Sequence, residues 1–345
     1  VVEQAKSAFE KIAVVLEAAG MTFSNVVKTI EHIDPTALPL HQQVLEVRRQ
    51  YLGESAVADS AFCVQRLLRP DALIEISAVA MRDEKRPIDP GWSKPLQITS
   101  SPGVQAGDTV WLSGFIGHEE VKGELHFSQD TARQVELSYQ AVGQVLEAAG
   151  ARSSDVVNSI DFISPRALPQ YRNTAESRRR FYGDQYPAAT GIFMNRLLHP
   201  EAHVEVETVA VTGEGRQEIQ IPEWNARYEK LTYSPGVKKG RLLFVAGMTA
   251  VDQTTGRSVG GDDVLAQADK AYRNIAEVLA AGGYSMNDIV NTVEWVAPRG
   301  IIGYRQIAEV RKKYFGESFP TATGVQVYDL LRPELLIEVT AVAVV

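Results

Sequence analysis

The chain contains the same unit three times, and few folds can accommodate that. Val15-Leu16-Glu17-Ala18-Ala19-Gly20 recurs as Val145-Leu146-Glu147-Ala148-Ala149-Gly150, and in altered form as Val278-Leu279-Ala280-Ala281-Gly282-Gly283. The offsets are 130 (145 − 15) and 133 (278 − 145). The first offset also carries Ala37-Leu38-Pro39 onto Ala167-Leu168-Pro169 and Arg66-Leu67-Leu68 onto Arg196-Leu197-Leu198. The second carries Ser101-Pro102-Gly103-Val104 onto Ser234-Pro235-Gly236-Val237. A period this long is a repeat of whole domains and not a solenoid period. The units read as 1–81, 96–212 and 231–345, joined by Arg82–Pro95 and Gly213–Lys230, which are rich in Pro, Gly and charge, as surface linkers are.

Each unit has the same internal order. A strand pair (Thr109–Ile116, Leu242–Met248) precedes a helix whose apolar residues Val135, Tyr139, Val142, Leu146 and Ala149 form one stripe. Gly150 stands where a helix end wants positive φ. A strand over 156–163, a second helix around 168–182 and two more strands follow. The last strand alternates, with His203, Glu205 and Glu207 on one face and Val204, Val206 and Thr208 on the other. Helices on one face of a mixed sheet make an α+β sandwich. Three such sheets, each with one face to cover, are expected to pack about a pseudo-threefold axis as an intramolecular trimer. By the offset, the first unit opens at its helix and lacks the strands that Pro95–Asp130 supply to the second. The non-methionine start at Val1 leaves a processed leader open.

Composition narrows the function. One cysteine, Cys63, excludes a disulfide framework and a cysteine-rich zinc site, and reads as a small buried hydrophobe. A net charge of −8 argues against non-specific nucleic-acid binding. No apolar run approaches the roughly 18 residues that span a bilayer. The expectation is a cytoplasmic protein, monomeric once its three units have packed. His203 with Glu205 and Glu207 is a weak metal pattern, and Arg178-Arg179-Arg180 reads as a solvated helix face. Glu75, Glu205 and Glu338 recur in every unit and read as structural.

Tyr233-Ser234-Pro235-Gly236-Val237, Val245-Ala246-Gly247, the Val-Leu-Glu-Ala-Ala-Gly helix end, and Val64-Gln65-Arg66-Leu67-Leu68 with Ile74-Glu75-Ile76 resemble the Rid family. That family is also called YjgF-like or endoribonuclease L-PSP, and its type members are enamine/imine deaminases. The resemblance implies a chorismate-mutase-like α+β unit, normally homotrimeric, with a ligand site in each inter-subunit cleft. It also implies an arginine on the penultimate strand for the substrate carboxylate, and a glutamate on the last strand to hold water. A tyrosine near the domain start and an early Ser-Gly pair complete the pocket.

Carried over, the arginine is Arg66 and Arg196, with Asp329 in the third unit. The glutamate is Glu207, replaced by Ser77 and Thr340. The tyrosine is Tyr233, against Ser100 in the second unit. The pair is Ser113-Gly114, becoming Ala246-Gly247. On this reading Arg196 and Glu207 are catalytic, and Arg66, Ser113, Gly114, Tyr233 and Gly247 bind substrate. One composite site uniting Arg196, Glu207, Tyr233 and Gly247 is expected between the second and third units. The expected activity is hydrolysis of a small imine or enamine carboxylate, with no cofactor and no metal. A chorismatase-like hydrolase on the same fold, or a ligand-binding protein whose catalysis has decayed, are the alternatives.

Overall fold

The computed structural model describes residues 1–53, 57–92 and 100–345. The expected start of the second unit at 96, and the end of its connector at Pro95, lie outside the described residues. Three long helices, Val2–Ala18, Thr131–Ala148 and Val264–Ala281, fall where the apolar stripes place them. Asp130 and Asp263 cap the second and third, each side chain accepting backbone N–H groups of the first turn. Gly20, Gly150 and Gly283 follow the helix ends at φ of +66°, +74° and +79°, a region in which a Cβ is costly. The second helices are shorter than read. Ala175–Tyr182, for example, is preceded by 3-10 turns at Pro165–Ala167 and Tyr171–Thr174.

The sheets carry the threefold arrangement. In the second unit the order is Asp329–Leu330, Ala188–Phe193, Val156–Ile163, Val204–Val211, Thr109–Leu112, Gly103–Ala106, Lys85–Ile88. In the third it is Gln217–Glu218, Gly236–Lys239, Leu242–Thr249, Ile337–Val344, Ile289–Val296, Thr321–Gln326, Arg66–Leu67. Among the described residues the first unit's sheet has only Arg196–Leu197, Ala58–Cys63, Val26–Ile33 and Ile74–Ala80. Each unit therefore lends a two-residue strand to the outer edge of a neighbour's sheet, in a cycle that closes on itself. The connectors are not plain linkers: Lys85–Ile88 and Gln217–Glu218 are edge strands of the units that follow them.

The lent strands bury Leu67, Leu197 and Leu330 in one central cluster with Phe62, Ile192 and Val325, the three copies of a single repeat position. A second layer consists of Phe162, Trp295 and buried His32, also one repeat position. His32 packs edge-on to Phe62 at 5.2 Å, and burial pushes its imidazole down to about 4, which keeps it neutral. Each fully buried large apolar side chain contributes about 1.5–3 kcal/mol, so this axis is a core in its own right. It also explains why Val204–Val211 is buried on both faces where alternation suggested one wet face. The polar face of that strand lies against the neighbouring unit. Among the described residues no helix is long and apolar enough to cross a membrane.

Cys63 sits beneath the lent strand, opposite Arg196, and is fully buried. Burial pushes its thiol up to about 11. The native protein should therefore resist a thiol reagent such as DTNB and titrate one thiol only after denaturation; rapid native labelling would contradict this burial.

Candidate active site between the second and third units

The second and third units meet where Ala188–Phe193 runs beside the third unit's first hairpin. The Ser234 N–H donates to Pro187 O at 2.9 Å, and the Gly247 N–H donates to the Thr190 hydroxyl at 2.8 Å. The pairing of Leu242–Thr249 with Ile337–Val344 shifts register between Val245 and Met248. Such a bulge re-aims the chain, and here it brings the Gly247 backbone against Glu338. A Cβ on Gly247 would lie 1.9 Å from Glu338 Oε1 and 2.9 Å from the Thr190 methyl, so only glycine fits. Glu338 is 7% exposed and has no hydrogen-bond or ion-pair partner among the described residues. Burial alone pushes its carboxyl up to about 8. Tyr233 and Tyr228 pack edge to face at 5.6 Å, and Tyr171 comes from the second unit. All three lie close enough to Glu338 for its charge to help hold their hydroxyls protonated, although burial is the larger cause.

The first and second units form a related but more acidic cleft. Glu205 packs on Gly114 as Glu338 does on Gly247, with 1.9 Å to a hypothetical Cβ, and its carboxyl is also pushed up to about 8 by burial and then by Glu207. The Gly114 N–H donates to Asp59 O at 2.9 Å, and Ser113 accepts from the Asp59 N–H and donates to Ser101 O. Glu207 forms an ion pair with Lys28 at 2.9 Å, and Lys28 also donates to Ser60 and to Leu112 O. Asp59 is paired with Arg48. By the offset Asp59 and Glu207 correspond to Ala189 and Thr340, so the cleft between the second and third units has no carboxylate at these two positions.

In the cleft between the third and first units, burial raises the Glu75 carboxyl, and the Thr323 hydroxyl beside it opposes the rise. Ser77 lies 3.2 Å from that hydroxyl, and among the described residues no glycine packs on Glu75.

The structure thus divides the residues expected to act together. Tyr233 and Gly247 share the cleft of the second and third units, while Ser113, Gly114 and Glu207 lie in that of the first and second. Arg196 sits at the edge of the first unit's sheet, opposite Cys63, and Glu207 is engaged by Lys28. Arg66 is exposed beside Gln326, and Asp329 pairs with Phe193. The expected union of Arg196 and Glu207 with Tyr233 and Gly247 is not formed, because a two-residue strand lent across a unit boundary carries its arginine away with it. His203 is hydrogen-bonded to Thr131 at 2.8 Å.

Arg178 is a further correction. It is not on a solvated face: its side chain is 12% exposed and is held by Asp161 and the Tyr171 hydroxyl. Arg311, Glu294 and Tyr304 repeat the arrangement in the third unit. In the first unit Glu31 pairs with His41 instead, and Arg48 turns to Asp59. Glu338, Glu205, Tyr228, Tyr171 and Arg178 were all missed by sequence reasoning. The available signal was a glutamate in all three units matched by a glycine, Gly114 or Gly247, in the two units that carry the strand.

The endoribonuclease L-PSP family profile matches residues 1–82, 95–212 and 225–345. A RutC family protein of Pyrococcus horikoshii is 36% identical over 111 residues, 32% of this chain and 85% of that protein. A 2-iminobutanoate/2-iminopropanoate deaminase of Mus musculus is 32% identical over 112 residues, 32% of this chain and 80% of that protein. Among solved structures, a chorismatase matches with a TM-score of 0.61 at 17% identity, over 93% of each chain, so the three-unit fold is shared along nearly the full length.

Proposed function

The chain belongs to the endoribonuclease L-PSP family, and from that premise we propose that it hydrolyses a small imine or enamine bearing a carboxylate, in the cleft between its second and third units. The observation that carries the reading is Glu338, a buried, unpartnered carboxyl packed on a glycine backbone. Near neutral pH it holds a proton, as an acid–base catalyst of this step requires. It protonates the imine nitrogen. The carboxylate so formed takes a proton from water as the oxygen adds to carbon. Returning that proton to nitrogen lets the C–N bond break, and the hydroxyl proton goes back to Glu338. The balance is imine plus water giving 2-oxo acid plus ammonia. The likeness to the mouse deaminase over one unit supports the same chemistry.

Arg178 is the cation we assign to the substrate carboxylate. Its first-unit counterpart, Arg48, reaches Asp59, and the equivalent strand position here is Ala189. A substrate carboxylate beside Ala189 would take the place that the aspartate side chain has in the first unit, held by the planar guanidinium fork. Tyr233, Tyr228 and Thr190 bound the remaining space.

The same proton on Glu338 favours a second reading, protonation of an enol ether followed by hydrolysis. One assay separates the two. The chain is supplied with 2-iminobutanoate generated in situ and, in parallel, with chorismate, while ammonia and pyruvate are followed. Ammonia release above the spontaneous rate is expected. Pyruvate release alone would replace the first reading with the second, and neither product would remove both.

A further inference from the structure

The arginines around the cleft of the second and third units are not used alike. Arg178 is held by Asp161, Arg216 by Glu218 at 2.8 Å, and Arg332 by Glu334 at 2.6 Å. Arg227 is partly buried, and no carboxylate among the described residues pairs with it. Its Nε is shut off from solvent without a hydrogen-bond partner. The residue stands on the short helix Asn225–Tyr228, in the connector that leads into the third unit. Trp224 stacks on Tyr228 at 6.1 Å, and Tyr228 packs edge to face on Tyr233 at 5.6 Å, which fixes that helix against the cleft. The guanidinium also lies against the loop at Gly256, where a Cβ would come within 3.6 Å of Nη1. Burial raises the Tyr233 and Tyr228 hydroxyls, and the Arg227 charge beside them opposes the rise.

A guanidinium withdrawn from water without an anion is costly, and an anion that arrives with a ligand offsets that cost. The place of Arg227 says which ligand. Arg178 donates to the Tyr171 hydroxyl in the second unit, while Arg227 stands beside the Tyr233 hydroxyl in the third. Both hydroxyls feel the charge of Glu338. The two cations thus flank Glu338 from the two walls of one cleft.

We infer that Arg227 is a second carboxylate-binding residue, and that the substrate is a 2-imino dicarboxylate. The inference rests on the imine hydrolysis proposed above and specifies which imine. Arg178 takes the carboxylate next to the imine carbon, Glu338 protonates the nitrogen, and Arg227 takes the carboxylate at the end of the side chain. The planar fork of arginine suits a carboxylate held by two parallel hydrogen bonds. The balance is 2-imino dicarboxylate plus water giving 2-oxo dicarboxylate plus ammonia. A monocarboxylate such as 2-iminobutanoate leaves the second guanidinium without its anion and binds more weakly.

The test reads binding and turnover in the whole chain. Calorimetric titration with stable products compares oxaloacetate and 2-oxoglutarate with 2-oxobutanoate. At least one dicarboxylate is expected to bind at least about tenfold more tightly than the monocarboxylate. Ammonia release from the corresponding imines, generated in situ, should show the same preference in kcat/KM. Arg227→Met keeps the aliphatic stem and should bring both ratios close to one. Because each ratio is taken within one variant, a reduced amount of folded protein does not alter it. Equal binding of all three products by the native chain, or a preference that survives Arg227→Met, overturns the inference and leaves imine hydrolysis standing. Ammonia release from none of the imines removes the proposed activity and this inference with it.

Discussion

Glu338→Gln is expected to lower ammonia release at least about a hundredfold, and at the same time to make the protein more stable. The two effects have one cause. A carboxyl whose folded pKa is raised to about 8 by burial costs nothing while it stays protonated. As pH rises from the usual carboxylate range through 8, the unfolded chain releases that proton more readily than the folded one, and stability falls. At pH 7 the penalty is at most about 3 kcal/mol, and glutamine, of the same shape and never charged, removes it. The variant should therefore show a higher midpoint in urea at pH 7 than the native chain, with the advantage vanishing toward pH 4. In the native enzyme kcat should decline above about pH 8, as the proton donor is lost. A variant that keeps activity, or is no more stable at pH 7, would mean that Glu338 is solvated and ionised. Glu205→Gln supplies the contrast: the same gain in stability is expected from its similarly raised carboxyl, with ammonia release changed less than about twofold, because its cleft carries Asp59 and Glu207 as well.

What the sequence disclosed and what it withheld divide along a physical line. Periods of 3.6 and 2 are local, and they located the three long helices and the strand Val156–Ile163. The 130 and 133 offsets are global, and they revealed the three units and the shared axis. What lay between these scales was hidden. The strands Arg66–Leu67, Arg196–Leu197 and Asp329–Leu330 are two residues long and gain their pairing only from another unit's edge, so nothing near Arg196 in the chain signals where it goes. The bulge at Ala246-Gly247, which turns the backbone onto Glu338, depends on a mismatch between two strands remote in sequence. Recurrence also misled. Glu75, Glu205 and Glu338 look structural because every unit keeps them, yet among the described residues the carboxyls of Glu205 and Glu338 have no hydrogen-bond or ion-pair partner, which is costly to the fold once they ionise. Tyr228 escaped notice because it stands in a connector read as a linker.

Lys28→Ala is the second change with a large expected effect, about 3–5 kcal/mol of destabilisation. Lys28 and Glu207 are each almost fully buried, one in the first unit and one in the second, and their charges neutralise each other across the boundary. Removing the lysine strands a carboxylate in a low dielectric, and two hydrogen-bond acceptors, Ser60 and Leu112 O, lose their donor. Lys28→Met with Glu207→Leu keeps the volume and removes both charges, and should recover most of the loss. Urea denaturation of the two variants measures the difference; a loss below about 1 kcal/mol in the single variant would place the pair in water.

The boundary between the second and third units has its own buried pair, Lys239 with Asp155 at 2.8 Å, at a different repeat position. The boundary between the third and first units brings together the hydroxyls of Ser77 and Thr323. If the units were packed in the opposite cyclic order, Lys28 would face Thr340, and Asp155 would turn to the first unit and lose the cation that Lys239 of the third unit supplies. Three homologous units that could dock in either order are thereby held to one. That order is what sets Ala189 and Arg178 of the second unit across from Glu338 of the third, so a lysine in the first unit helps to fix the composition of a cleft to which it contributes no atom.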